Sequence, residues 1–417
     1  MLNCIDIIDN KNCYGCSACY SACPTGCILM SPDDEGFYYP NVDSTQCSGC
    51  GLCRKACPMI NNKAEIPFDQ TAFIVQHTNS KVLLESTSGG AFSAIAEAVI
   101  GKGGVVFGAT LDEDLTVRHG YVNTVEDLTK FRNSKYVESE ICDTFSQTLD
   151  FLRQGRYVCF SGTPCQIEGL HCFLATQSHE LQCHKLVTVD FVCRAVPSNI
   201  IYKKYLELHS AFAENKYTST EKHKIEIVRF RDKSKYGYKY SQMAHYNRSN
   251  ELIYNSGVES NYMMRAFFSN ICDRPSCYDC KFKKRYRVSD FTIWDCFNPG
   301  VYNKSFDNDR GVTSVLIHTE KARQLFTEVT SLRTYEVSPD ELCAAAMEMT
   351  HSVPMNPRRD AFFADSRKMD SRNFFLKYFP DTARVKIERI GRRVCLRLGI
   401  YRPILRLVQK IGLGGRG

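Results

Sequence analysis

Apolar residues between Thr71 and Thr327 recur sometimes in short runs and sometimes at helical spacing. Ala72–Gln76 reads as a short strand. Ser86-Thr87-Ser88-Gly89-Gly90 reads as a turn and N-cap, and Ala91–Ile100 as a helix with Phe92, Ile95, Ala96 and Val99 on one face. Gly101-Lys102-Gly103-Gly104 ends that helix. Val105–Ala109 and Thr116–Val122 are predicted strands around a hairpin turn at Asp112–Asp114. Tyr157–Phe160 (strand), Gly162–Pro164 (loop), a helix to about Leu174, Leu186–Cys193 (strand) and a helix from Pro197 follow. Such alternation predicts α/β units on a sheet with a good share of parallel pairing. Beyond residue 222 strand-like patterns dominate: Ile225–Phe230 alternates, and Val312–His318 is a strand with a helix from Glu320. Residues after Ser338 read as helical.

Composition narrows the class. With 43% hydrophobic and 24% charged residues in 417, the chain matches an ordinary soluble protein of two to three domains. No window reaches the roughly 18 apolar residues that span a bilayer. Twenty-two cysteines without a signal-like leader at Met1–Asn10 point to a reducing, cytoplasmic setting and to metal ligation. The net charge of +7 is uneven. From Thr382 to Gly417 ten Lys/Arg face one acid, Glu388; the tail carries +9 and the remainder −2. Val385, Ile387, Ile390, Val394 and Leu398 predict an apolar stripe on a basic helix, broken near Pro403. Ile404, Leu405, Leu407, Val408 and Ile411 predict a second short helix. Basic amphipathic helices bind anionic membrane surfaces, which would place the protein at the inner face of the membrane; the alternative is docking on an acidic partner or on the protein's own body. Arg229-Phe230-Arg231 and Lys233–Tyr240 interleave bases with rings. A half-exposed antiparallel hairpin explains them, and the acidic body speaks against a nucleic-acid partner.

The chemistry is carried by cysteines. Cys13, Cys16, Cys19 and Cys23 precede Pro24, and Cys47, Cys50, Cys53 and Cys57 precede Pro58: C-x2-C-x2-C-x3-C-P twice, with a period of 34. This is the spacing by which bacterial two-cluster ferredoxins hold two [4Fe–4S] cubanes, the fourth cysteine of each run ligating the other cluster. Carried onto this chain, Cys13, Cys16, Cys19 and Cys57 hold one cluster and Cys47, Cys50, Cys53 and Cys23 the other. Structural zinc takes four ligands in separated pairs and has no use for this pattern.

A second series of motifs runs in order through residues 86–290: Ser86–Ala94, Gly104–Ala109, Asn133-Ser134-Lys135-Tyr136-Val137, Phe160–Gln166, Asp190–Cys193, Val196-Pro197-Ser198, Arg274–Lys281 and Val288-Ser289-Asp290. Together they resemble the beta-subunit family of coenzyme F-420 hydrogenases and dehydrogenases over nearly all of residues 65–335. The resemblance implies an FAD-binding α/β domain with its own [4Fe–4S] cluster. Cys165, Cys193, Cys277 and Cys280 lie in its motifs and suffice for that third cluster, with zinc as a minor alternative. Ser88, Gly89 and Gly90, opening a helix, offer bare N–H groups to a flavin pyrophosphate. Lys135, beside Tyr136, would neutralise phosphate or sit near the flavin ring; a helix cap and a solvated lysine are the plain alternatives. Arg194-Ala195 stand where the family commonly has His-Gly, Trp294-Asp295-Cys296-Phe297 replaces Gly-Asp-Phe-Trp, and His171 and Cys172 are also unusual. The hydride acceptor is therefore left open. Cys296 reads as a buried structural thiol, with an extra ligand as the alternative, and Cys4, Cys27, Cys142, Cys159, Cys172, Cys183, Cys272, Cys343 and Cys395 read as structural.

The expected architecture is α+β and α/β: a two-cluster ferredoxin domain (1–62), an α/β flavin domain on a mixed sheet (63–200), a second hydrogenase beta-subunit-like domain (201–340), and a helical region with a basic tail (341–417). The expected function is an FAD- and [4Fe–4S]-dependent oxidoreductase. It would pass electrons between clusters and flavin and on to a deazaflavin or small organic substrate, with a redox protein or soluble carrier as partner. The alternative is a non-catalytic subunit relaying electrons to another polypeptide.

Overall fold

The computed structural model describes residues 5, 9, 11–177, 183–216, 224–401 and 403–404. Two compact units share the chain: Met1–Ser198 with Asp273–Pro354, and Asn199–Cys272 with Met355–Gly417. Residues 201–340, expected as one domain, are divided between them.

The first unit opens with the cysteine repeat. Helix α1 (Ala18–Ser21) and α2 (Leu52–Ala56) flank a two-stranded ribbon, β1 (Ile28–Pro32) and β2 (Tyr38–Val42). Behind it lies an eight-stranded mixed sheet in the order β13-β3-β12-β11-β7-β6-β4-β5. Its strands are β3 (Thr71–His77), β4 (Val105–Leu111), β5 (Val117–Val122), β6 (Val158–Gly162), β7 (Leu186–Phe191), β11 (Phe291–Asp295), β12 (Thr313–Ile317) and β13 (Leu332–Val337). The centre, β4-β6-β7-β11, is parallel, and the pairs outside it are antiparallel. The mixed α/β architecture is thus as expected. The central strands are buried on both faces, which is why they read as short apolar runs rather than clean alternations.

Helices α4 (Ala91–Gly101), α5 (Thr144–Arg153) and α6 (Pro164–Ala175) cover the sheet. Helix α4 buries Ile95, Ala96 and Val99 as its spacing predicts. Around this sheet α3 (Ser80–Glu85), α5, β11 and β13 have no counterpart in the periodicity. The edge strand β13 exposes most of its side chains, so no hydrophobic pattern marks it.

In the second unit β8 (Ile227–Asp232), β9 (Gln242–Tyr246) and β10 (Leu252–Ser256) form an antiparallel sheet. The aromatic–basic stretch is its hairpin, with Arg231 over the ring of Tyr238 at 5.2 Å and Lys235 over Tyr236 at 5.2 Å. Helices α7 (Asn199–Lys216), α8 (Tyr262–Phe268), α11 (Arg359–Ser366), α12 (Ser371–Tyr378) and α13 (Ala383–Arg397) complete it. The first unit also holds α9 (Glu320–Thr327) and α10 (Pro339–Ala344).

The basic tail corrects two expectations. Val385 does not share the face of Ile387, Ile390 and Val394; it is half-buried on the other side of α13. The helix also stops before Pro403, at Gly399, whose φ of +69° makes it a left-handed stop. Leu405, Leu407, Val408 and Ile411 lie outside the described residues.

Candidate metal centres

Each cysteine loop is shaped by left-handed residues at the same period as its cysteines. Gly15 and Ser17 have φ of +63° and +62°; Gly49 and Gly51 have +68° and +73°. Ser17 and Gly51 each stand directly before a short helix that carries the third cysteine of its run, Cys19 or Cys53. The turn lets the loop close tightly, and a side chain at Gly15 has no room: its Cβ would lie 2.7 Å from the Arg274 guanidinium.

The structure gathers Cys13, Cys16, Cys19 and Cys57. Burial, then repulsion from Cys57, Cys19 and Cys13, drives the Cys16 thiol far above its ordinary range; Cys19 is raised by burial and then by Cys13 and Cys57. Four thiolates so placed cannot stay ionised without a positive centre among them, and an iron–sulfur core supplies one. The second set, Cys23, Cys47, Cys50 and Cys53, lines a small concavity with Pro24, Thr25 and Ile28. A fifth thiol belongs to it: Cys27 Sγ stands 3.4 Å from Cys23 Sγ. Read from sequence as structural, Cys27 is instead part of this site's wall. A hydrogen bond with Thr25 pulls its thiol down, but burial, then the hydrogen bond and charge of Cys23, carry it up to about 11.

A third group forms at the carboxyl ends of the central strands, where α/β sheets gather ligands. Cys193 follows β7. Cys165 opens α6 after β6, held there by Thr163-Pro164-Cys165-Gln166. Thr163 caps the helix by accepting from Gln166 N, the Gln166 side chain accepts from Thr163 N at 2.9 Å, and Pro164 takes the first turn. Cys277 and Cys280 sit around a short 3-10 turn, Pro275–Asp279. After burial, Cys277 is raised by Cys193 and Cys280, and Cys165 by Cys280. Cations surround the group. The Lys283 ammonium donates to the carbonyls of Cys193, Arg194 and Glu348. Arg287 pairs with buried Asp190 at 3.2 Å. Cys296 stands elsewhere, packed with Ile74, Phe306 and Leu316, and Cys159 lies in the sheet core.

Two residues to which the motifs assign no role join the first and third groups. Tyr14, inside the Cys13–Cys16 loop, packs with Cys165, Cys280 and Phe282. Its hydroxyl accepts from Lys281 N at 2.9 Å, next to Cys280. Arg274 is 1% exposed. Its guanidinium donates to the carbonyl of Tyr38 at 2.6 Å, pairs with buried Glu138 and lies 4.4 Å from the Tyr39 ring centroid. Burial opposes its charge, but Glu138 and then Cys13 hold it protonated. Burial in turn pushes Glu138 up to about 7 against the pull of Arg274. Gly169 of α6 is the other close approach: a Cβ there would lie 2.9 Å from Cys16 Sγ.

The residues expected at a flavin meet as two segments. Thr87 Oγ1 and Ser134 Oγ are 2.9 Å apart, and Ser134 N donates to Thr87 Oγ1 at 2.6 Å, which ties the 86–90 turn to the 133–136 loop. One detail is corrected. The N–H of Gly89 is not bare: it donates to Thr313 Oγ1 at 2.8 Å, and Ser88 Oγ contacts the same hydroxyl. Gly89 lies so close to β3 and β12 that its Cβ would meet Val75 O at 2.3 Å. The turn's remaining amides, from Gly90 onward, open α4. The Lys135 ammonium donates to the carbonyls of Lys130 and Arg132, and burial pulls its pKa down to about 7. Tyr136 is half-buried beside it. Arg194, at the departure from the family pattern, pairs with Glu348 at 3.1 Å.

These features define an iron–sulfur protein of the electron-transfer type. Residues 12–60 match the 4Fe-4S dicluster domain, and residues 155–341 match the C terminus of the beta subunit, coenzyme F420 hydrogenase/dehydrogenase. The chain thus combines, in order, a segment similar to ferredoxin-type dicluster domains and a segment similar to the C terminus of the coenzyme F420 hydrogenase/dehydrogenase beta subunit. An uncharacterized ferredoxin of Methanocaldococcus jannaschii is 42% identical over 33 residues, 8% of this chain and 43% of that protein. The chain thus spans less than half the length of that curated relative. Among solved structures, a chain of the F420-reducing [NiFe] hydrogenase complex from Methanosarcina barkeri is similar at 15% identity and a TM-score of 0.43, over 74% of this chain and 90% of that one. Among the described residues no helix is long and apolar enough to cross a membrane.

Proposed function

We propose that the protein is an iron–sulfur flavoprotein oxidoreductase that passes electrons between three [4Fe–4S] clusters and FAD, and on to a deazaflavin or small organic substrate. The first cluster takes Cys13, Cys16, Cys19 and Cys57, the second Cys47, Cys50, Cys53 and Cys23, and the third Cys165, Cys193, Cys277 and Cys280. One observation carries the reading: Tyr14 leaves the first cysteine loop and packs against Cys165 and Cys280 in a buried cluster. The first and third sites are then neighbours through a single side chain.

The protein's own groups have distinct tasks. Lys283 holds the Cys193 loop by its carbonyls. Arg274 and Arg287 place fixed positive charge beside sites that carry net negative charge when loaded. The amides that open α4 and the Lys135 ammonium bind and orient the FAD phosphates, with Ser88, Gly89, Gly90 and Tyr136 shaping the turn and loop around them. FAD, when bound, exchanges single electrons with clusters and hydride with an organic partner. A redox protein or soluble carrier meets the other end of the chain of sites.

Anaerobic purification with iron, sulfide and flavin quantitation and EPR tests this. About twelve irons and one FAD per chain are expected. Eight irons without flavin, and no binding of added FAD, would make the chain a two-cluster relay for another polypeptide. Zinc in place of iron would overturn the proposal.

A further inference from the structure

We infer that α13 is an interfacial helix that lies flat on an anionic lipid surface. Thr382 caps the helix by accepting from Val385 N, and no residue of α13 is buried. The two sides of the helix are nonetheless unlike. Val385, Arg389, Arg392 and Leu396 are half-buried and face the rest of the second unit. On that side Arg392 donates to Tyr401 Oη at 2.9 Å and lies over the Tyr240 ring, and Arg389 pairs with Asp381 at 3.2 Å. The opposite side carries Ile387, Ile390, Val394 and Leu398, spaced by three, four and four residues and therefore in one line. They are 70%, 60%, 47% and 65% exposed. Ile400 and Ile404 extend the apolar surface.

Charge selects the occupant. Lys386, Arg393 and Arg397 flank the stripe on one side and Arg384 on the other. Among the described residues none of the four is in an ion pair, whereas Arg389 and Arg392 on the packed side are. The stretch from Thr382 onward carries ten Lys/Arg against one acid. A second copy would bring like charges together. An apolar line bordered by unpaired cations matches a surface with acyl chains below and anionic headgroups at the level of the flanks. Gly399 ends the helix, so the element is far too short to span and is suited to lie in the plane.

Flotation of the full-length, cluster-loaded protein tests the assignment, with vesicles of phosphatidylcholine alone and of an equal mixture with phosphatidylglycerol. The protein is expected to float with the mixture, to stay down with phosphatidylcholine, and to be released by salt. Ile387→Asp/Ile390→Asp/Val394→Asp should abolish flotation. Lys386→Glu/Arg393→Glu/Arg397→Glu should weaken it by at least about fivefold per charge. Because these positions are exposed, iron content and circular dichroism should be unchanged, and Ile387→Asp alone should act in the same direction. The inference fails if the wild-type protein does not float with the mixture, or if flotation survives both triple variants. It fails equally if the aspartate variant instead abolishes self-association or retention on an acidic polypeptide while flotation was never seen.

Discussion

The Nε of Arg274 donates to the carbonyl oxygen of Cys13 at 3.0 Å, across 261 residues of sequence. The contact places a buried cation directly beneath the first cysteine loop, with Gly15 pressed against the guanidinium. Its partner is Glu138, so removing the arginine strands a buried carboxyl. Breaking such a pair costs about 3–5 kcal/mol. Arg274→Gln should lower thermal stability by that order. It should also make the first cluster harder to reduce, because positive charge that favours the added electron is gone. Glu138→Gln should shift the potential the opposite way. An EPR-monitored redox titration reads both; equal potentials in the three proteins would refute the electrostatic role.

Loss of a ligand should be local to its set. Cys277→Ser and Cys165→Ser should each lower iron from about twelve to about eight per chain while leaving the dicluster signals intact. Cys296→Ser, in an apolar cluster, should change iron content by nothing measurable. Iron and sulfide assays with EPR distinguish these outcomes.

Glycine-to-alanine exchange inside a helix ordinarily stabilises by about 1 kcal/mol. At Gly169 the sign should reverse, because the new methyl group would lie 2.9 Å from Cys16 Sγ and 3.5 Å from Ala18 Cβ. Gly169→Ala should lose the first cluster more quickly in air than wild type, followed by bleaching. Gly391→Ala, with nothing near the added carbon, serves as the control.

Lys135 supplies a pH dependence. Its pKa in the folded protein is pulled down to about 7 by burial, below its ordinary 10.5. The charged form is what attracts phosphate, so FAD affinity should be highest below pH 7. It should fall by up to about tenfold per unit as the pH rises above it, in line with one linked proton. Stability without flavin runs the other way. Between the two pKa values the unfolded chain binds the extra proton, so this group's penalty is full below pH 7 and relieved as the pH rises toward 10.5. Lys135→Met should flatten both trends. Flavin fluorescence titrations across pH 6–9 check the first, and a pH-independent wild-type affinity would remove Lys135 from the phosphate site.

Much of this protein is legible along the chain because its chemistry is written at short range. The C-x2-C-x2-C-x3-C-P spacing within each cysteine run and the Gly101–Gly104 stop act through neighbours a few residues apart. Local sterics and hydrogen bonding then suffice to place a loop or a helix end. The alternation from Ala72 to Cys193 likewise marks strands buried on both faces. The roles of Tyr14, Arg274, Lys283 and Gly169 escaped that reading, because each depends on a contact made only when distant segments pack. Tyr14 meets Cys280, Arg274 meets Cys13, and Gly169 meets Cys16 once the first unit has brought residues 160–198 and 273–290 against the first sixty. Val385 and Ile387, two residues apart on one helix, look alike in sequence. Which of them faces water was settled by the packing of the second unit, since burial belongs to the fold and not to the residue.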